Sequence, residues 1–262
     1  MLRQMFKRAL AKAPAPVRPS TPHDKYIGDY EAIVNRLVAQ YGRDEGVLRA
    51  VGGSDQQGDF QLAQLTSAGL TPTSHLVDVG CGSGRLTRRI ARAAGARYLG
   101  TDINRVLLDY ARDSAGRADF RFEQITHSVI PEQDGVADMV SMFSVATHIL
   151  HEDTYCYLEE GKRVLKPGGR IFFSFLDFNV QLNRDVFMSK VGQAKHCLPR
   201  EHFDVFIGRH DIPIWADMLG MKLIEIIPGD EERTYDSPHL AAFKVQPLRF
   251  LLGQSAAILE KV

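Results

Sequence analysis

The stretch His75 to Leu86, HLVDVGCGSGRL, restricts the fold of this chain more than any other. An apolar run meets three glycines spaced by single residues, and RLTRRIARAAG follows with Leu86, Ile90 and Ala93 or Ala94 at helical spacing. A short buried strand, a tight turn and a helix account for that pattern, because glycine enters such a turn without a side-chain clash. Gly95 supplies a stop for the helix. The alternation then continues: a strand from Tyr98, a helix over residues 104 to 113, the strands DFRFEQI and ADMVSMF, a helix around residues 153 to 165 that stops near KPGG, and the strand RIFFSFL. Such alternation predicts an α/β fold, a sheet with helices on both faces. Ligands of these sheets collect beyond the carboxyl ends of the strands, where the glycine turn falls.

The glycine turn also says what kind of ligand to expect. Gly80, Gly82 and Gly84 let the backbone approach a bound group while early helix amides face it. Asp102, in YLGTDIN at the end of the next strand, is placed to accept hydrogen bonds from both hydroxyls of a ribose. A dinucleotide fingerprint asks for glycine or alanine where this chain has Arg85, and no GxxxxGK phosphate loop occurs, so NAD and ATP hydrolysis are disfavoured.

With 262 residues and 44% hydrophobic content, the chain can bury one sizeable core with an appended segment. Its 32 basic and 32 acidic residues give no global electrostatic case for a nucleic-acid partner. The three cysteines form no CxxC pair, so neither a disulfide framework nor a structural zinc site is expected, and a cytoplasmic setting is the plainer one. No apolar run is long enough to span a bilayer. The segment 1–22 carries Leu2, Met5, Phe6 and Leu10 at roughly helical spacing among basic residues, before a proline-rich linker. It reads either as a peripheral contact at the inner face of a membrane or with a partner, or as a frayed basic tail or a short helix packed on the same protein. Residues 23–58 read as a helical cap and 59–262 as the main domain, with a lid-like insertion at about 177–210.

VDVGCGSG, LGTDIN and RVLKPGGRIFFSF, in this order, resemble motifs of the class I S-adenosylmethionine-dependent methyltransferases. The resemblance covers residues 75 to 178 and implies a Rossmann-like, seven-stranded, mostly parallel sheet that ends in an antiparallel strand. GMKLIEII and QSAAILEKV match its last two strands. It implies S-adenosyl-L-methionine as the cofactor. Asp78 would orient the methionine amino group, Asp102 would hold the ribose, and Gly80, Cys81, Gly82, Gly84, Ile103 and Phe143 would border the cofactor. Many relatives carry an acidic residue near the adenine, whereas this chain reads FEQITHS, which makes Gln124 and Ile125 the local substitutes.

In MFSVATHILHED, His148 and then His151 are the candidates to take a proton from an acceptor hydroxyl, and a helix-start histidine that caps or packs has equal standing. No essential metal is expected. Tyr26, Tyr30, Thr147, Asp177, Asn179 and Phe203 are the candidate acceptor contacts, and Phe60 is a candidate cover over the cofactor. The expected activity is methyl transfer to a small or medium metabolite, at oxygen before nitrogen. The alternatives are a non-catalytic nucleoside-binding regulator and a membrane-associated enzyme of a lipid-linked acceptor.

Overall fold

The computed structural model describes residues 22–52, 54–198 and 203–262, with the side chains of residues 22–26 set aside. The basic amphipathic segment and its linker, residues 1–21, lie outside the described residues, as does Gly53. Three helices come first, α1 (Pro22–Tyr41), α2 (Arg43–Val51) and α3 (Gln57–Ser67). Then strands and helices alternate: β1 (His75–Val79), α4 (Arg85–Ile90), β2 (Arg97–Asp102), α5 (Arg105–Ala115), β3 (Arg121–Gln124), β4 (Ala137–Met142), α6 (His151–Val164) and β5 (Leu165–Phe175). The insertion contributes α7 (Gln181–Lys195) before α8 (Asp211–Met218) and β6 (Met221–Ile227). A small excursion of β7 (Glu232–Tyr235), a 3-10 turn at Leu240–Phe243 and β8 (Leu248–Leu251) precedes β9 (Ser255–Lys261).

The seven-stranded sheet has the order β3-β2-β1-β4-β5-β9-β6, parallel except where β9 runs antiparallel between β5 and β6. Every residue of β1 is buried, as a strand covered on both faces requires. Alternation along each strand divides the core: Leu76 and Phe172 join Leu62, Leu65, Leu86, Ile90 and Leu108 on one face, while their neighbours Val77 and Phe173 join Leu99, Val140, Leu158 and Ile212 on the other. Strand order reverses between β1 and β4, and the crevice beyond their carboxyl ends is where such sheets hold ligands.

Several boundaries differ from the sequence reading for local reasons. The first helix after the glycine turn stops at Ile90, and residues 91–95 form turns in place of a further helical turn. Strand β5 starts ten residues before its end, at Leu165, and so takes KPGG into its own length rather than leaving it as a loop. The β7–β8 hairpin was not anticipated. It packs Phe250 on Tyr235 and on Phe60 of α3, with the Phe60 and Phe250 ring centroids 4.4 Å apart. Phe60 therefore faces this hairpin and does not line the crevice.

The cap is fixed by arginines of α4. Arg89, 6% exposed, donates to Asp59 and Asp55 at 2.8 Å each, Arg88 pairs with Asp55, and Arg85 donates to the Gly52 carbonyl at 2.6 Å and to Gln57. The chain segment between α2 and α3 is thus laced to the helix that leaves the glycine turn. Val34 of α1 and Val47 of α2 bury against Leu107 of α5 and complete the attachment.

Candidate functional site

The turn after β1 takes all three glycines into the left-handed region, with φ of +72° at Gly80, +54° at Gly82 and +76° at Gly84. A side chain at Gly80 would place its Cβ 2.4 Å from Val145 Cγ2, and one at Gly84 would strike Ala111 of α5 at 2.9 Å. Gly84 therefore serves the packing of α4 on α5, while Gly80 and Gly82 border a cavity of about 530 Å³.

Two buried carboxylates form one wall of that cavity. Asp78 accepts at Oδ1 from the Ser141 hydroxyl at 2.7 Å and at Oδ2 from the Tyr98 hydroxyl at 2.8 Å. Asp102 Oδ2 accepts from the Gly82 amide and Oδ1 from the Asn104 amide, each at 2.9 Å. Burial pushes the Asp78 carboxyl up to about 6, with the charge of Asp102 adding to the rise and the two hydroxyl donors opposing it. Burial also pushes Asp102 up to about 6 against its backbone hydrogen bonds. Each carboxylate keeps further lone pairs for ligand donors, and together they favour a ligand that brings hydroxyls and positive charge. A nucleoside carrying a sulfonium and an amino group fits this donor set, with Ile103, Ile125 and Phe143 as its apolar surroundings in the same cavity.

Beyond these residues the cavity continues to Tyr30, Ser144, Val145 and His148. Ser144 is one of the few non-glycine residues at positive φ, +58°, and its amide donates to the Ser174 hydroxyl at 2.8 Å. His148 hydrogen-bonds through Nδ1 to the Phe203 carbonyl at 2.8 Å. A carbonyl only accepts, so Nδ1 carries a proton, and Nε2 is the ring nitrogen that can act as a base. His151 has the opposite arrangement: its Nε2 donates to the Phe206 carbonyl at 3.0 Å, and its ring meets Trp215 edge-on at 5.7 Å. It does not line the cavity.

The remaining sequence candidates stand elsewhere. Gln124 is exposed, and its amide Nε2 donates to the carbonyl of Ile103, a residue of the cavity wall, at 2.8 Å. Thr147 is buried, its hydroxyl donating to the Ser144 carbonyl. Asp177 is fully buried; it pairs with Arg209 at 2.6 Å and accepts from the Ser255 hydroxyl at 3.0 Å and from the Asn179 amide at 2.9 Å. Neither Asp177 nor the exposed Asn179 borders the cavity. Phe203 is 49% exposed and meets the site through its carbonyl alone. Tyr26 lies on α1, with its side chain outside the description. Sequence reasoning missed Arg49, Val51, Arg85, Tyr157, Lys190 and Asp204, all of them in the cavity wall. Arg85 had a signal, since it follows the glycine turn directly. Lys190 and Asp204 had none, because the insertion brings them in from unrelated positions.

Comparison with known proteins agrees with this geometry. Residues 77–173 match the family model of a methyltransferase domain. The chain is 31% identical over 185 residues to the ubiquinone biosynthesis O-methyltransferase of Methylococcus capsulatus, across 64% of this chain and 75% of that protein. It is 30% identical over 149 residues to the demethylmenaquinone methyltransferase of Tropheryma whipplei, across 57% of this chain, and spans 59% of the length of that relative. A methyltransferase solved in complex with the Haloferax volcanii Trm112 methyltransferase activator shares the fold, with a TM-score of 0.59 at 18% identity over 88% of this chain and 96% of that one. Identity along three quarters of a relative's length, added to a glycine turn flanked by two strand-end carboxylates, admits one conclusion: the chain belongs to the class I S-adenosylmethionine-dependent methyltransferases.

Proposed function

We propose that this chain methylates a hydroxyl oxygen of a small or medium metabolite and that His148 receives the hydroxyl proton. The observation that carries the reading is the continuity of one cavity from Asp78 and Asp102 to His148, whose Nδ1 is engaged by the Phe203 carbonyl. Bound S-adenosylmethionine supplies a methyl group already activated on a sulfonium, so the protein needs no nucleophile of its own. Asp102 would accept hydrogen bonds from the ribose hydroxyls and Asp78 from the amino group, while Ile103 and Ile125 would exclude water from the base. His148 would take the acceptor proton on Nε2 as the acceptor oxygen is methylated, the bound sulfonium supplying the methyl and keeping the bonding pair on its sulfur. The relatives named for ubiquinone biosynthesis and demethylmenaquinone make hydroxylated aromatic rings the first acceptors to try.

The test follows transfer of labelled methyl from S-adenosylmethionine to a set of catechols and hydroquinones, with wild type and His148→Gln. We expect kcat/KM to fall by about 10² to 10⁴ in the variant while cofactor affinity holds. Equal turnover by the variant would remove His148 as the base. Cofactor binding without transfer to any hydroxyl acceptor would favour the regulatory binder instead. A second reading, an acceptor with a long apolar tail, is favoured by the exposed Phe178, Leu182, Phe187 and Met188 on and beside α7, the helix that gives Val186 and Lys190 to the cavity. It predicts that KM falls as the tail of a catechol series lengthens.

A further inference from the structure

The insertion between β5 and β6 does more than border the cavity. Residues 203–207 run along the carboxyl ends of β4 and β5: the Val205 amide donates to the Thr147 carbonyl at 2.8 Å, the Ile207 amide donates to the Leu176 carbonyl at 2.9 Å, and Phe206 forms a parallel bridge with Leu176. Both histidine rings add bonds to this segment, His148 to Phe203 and His151 to Phe206. Held in this way, Asp204 enters the cavity wall with its side chain 11% exposed. Its Oδ1 lies 3.9 Å from His148 Nδ1, and its Oδ2 lies 2.8 Å from Lys190 Nζ of α7. A base, a carboxylate and an ammonium from three separate parts of the chain thus meet at the acceptor end of one cavity.

We propose that Asp204 is the positioning residue of His148, stabilising the imidazolium that forms when Nε2 takes a proton, and that Lys190 holds Asp204 and limits its pull. This rests on His148 acting as the base. The Phe203 carbonyl fixes which nitrogen is protonated, but a neutral dipole offsets little of the unit charge that appears on the ring during transfer. A carboxylate at 3.9 Å offsets it directly, and the lysine ammonium 2.8 Å from the far oxygen holds that carboxylate in place. Lys190 also weakens that attraction, which works against protonation of the resting ring. Asp204 and Lys190 therefore act on His148 with opposite signs. Among the described residues, Tyr30 of α1, Arg49 of α2, Asp78, Cys81, Arg85 of α4, Asp102 and Tyr157 of α6 are the other ionisable or charged groups in the same wall. They are common to every variant below, so differences between variants isolate the pair.

The experiment is a pH titration of the His148 imidazole by proton–nitrogen NMR on the full chain without acceptor, its resonance assigned by its loss in His148→Gln. Wild type is expected to show the Nδ1-protonated neutral ring. Asp204→Asn is expected to lower the His148 pKa by about one unit, a tenfold loss of proton affinity, and Lys190→Met to raise it by roughly half a unit or more. Near-ultraviolet circular dichroism and cofactor titration establish that each variant is folded. Shifts of the same sign, or shifts below about 0.2 unit in both variants, overturn the proposal, since a merely structural pair has no reason to move the ring in opposite directions. An unmoved titration beside a His148→Gln variant that has lost turnover leaves the base and removes Asp204 from its role. Opposite shifts beside a fully active His148→Gln variant overturn the base, and the proposal with it.

Discussion

The two carboxylates at the strand ends hold a conflict between ligand and fold at the scale of single residues. Asp78 is 3% exposed and its carboxyl is raised from 3.8 to about 6 by burial. The folded chain therefore binds this proton more tightly than the unfolded one. The destabilisation is absent below about pH 4, grows as pH rises and is complete above about 6. Replacing Asp78 by Asn removes the charge while the Ser141 and Tyr98 hydroxyls turn to suit an amide. The variant without ligand is expected to gain about 1 to 3 kcal/mol at pH 7.5 and almost nothing at pH 4, and to bind S-adenosylmethionine at least tenfold more weakly. Thermal melts at the two pH values, with a calorimetric titration, check this; equal gains at both would show that burial of charge is not the cause. Asp78 and Asp102 were legible in the sequence because a strand, a glycine turn and a following strand lie close together in the chain and fix their positions. The acceptor side was not legible in the same way. His148 reaches the cavity, whereas Asp177, chosen for its place after strand five, turns inward to Arg209 and Ser255.

That inward turn matters to whole elements. Asp177 ties the end of the insertion, through Arg209, to the end of β5 and, through Ser255, to the start of β9. Arg209 is 32% exposed and partly screened, so removing its partner costs less than a fully buried pair would. Asp177→Ala is expected to destabilise the chain by about 2 to 3 kcal/mol and to speed amide exchange at Val205 and Ile207 before the sheet opens. Hydrogen exchange resolved by residue checks it, and exchange rising equally through β1 and β4 would mean that the anchor serves the entire fold. The same scale shows where element prediction stopped. Five strands were marked by short segments alternating with helices, which revealed even the four-residue β3, but ERTY and LRFL of the β7–β8 hairpin have no α-helix between them and fall outside that alternation. Their place comes from Phe250 stacking on both Phe60 and Tyr235, a tertiary cause with no local trace.

For the whole molecule, cofactor affinity ought to follow the ionisation of the cavity wall. Asp78 and Asp102 both titrate at about 6, and both must be ionised to accept donors and offset positive charge. Affinity for S-adenosylmethionine is expected to be steady above about pH 7 and to fall by tenfold or more by pH 5, because the unliganded form takes up protons that binding must expel. Calorimetry across that range, in buffers of different ionisation enthalpy, counts those protons; a flat profile with no proton release would rule the pair out as the ligand's partners.

The position of β9 bears on how such a chain is made. It fills the gap between β5 and β6, yet its residues are synthesised after both. While the ribosome is still adding residues 176–254, the Ile171–Phe175 half of β5 has no neighbour on that side and offers unpaired amides and carbonyls beside Phe172 and Phe173. The glycine turn and the first half of the sheet can assemble during synthesis, whereas the sheet closes only when residues 255–261 arrive. A nascent chain halted before that point would carry a formed cofactor turn on a sheet with an open edge, and that edge is where a chaperone would bind it or another nascent chain would pair with it.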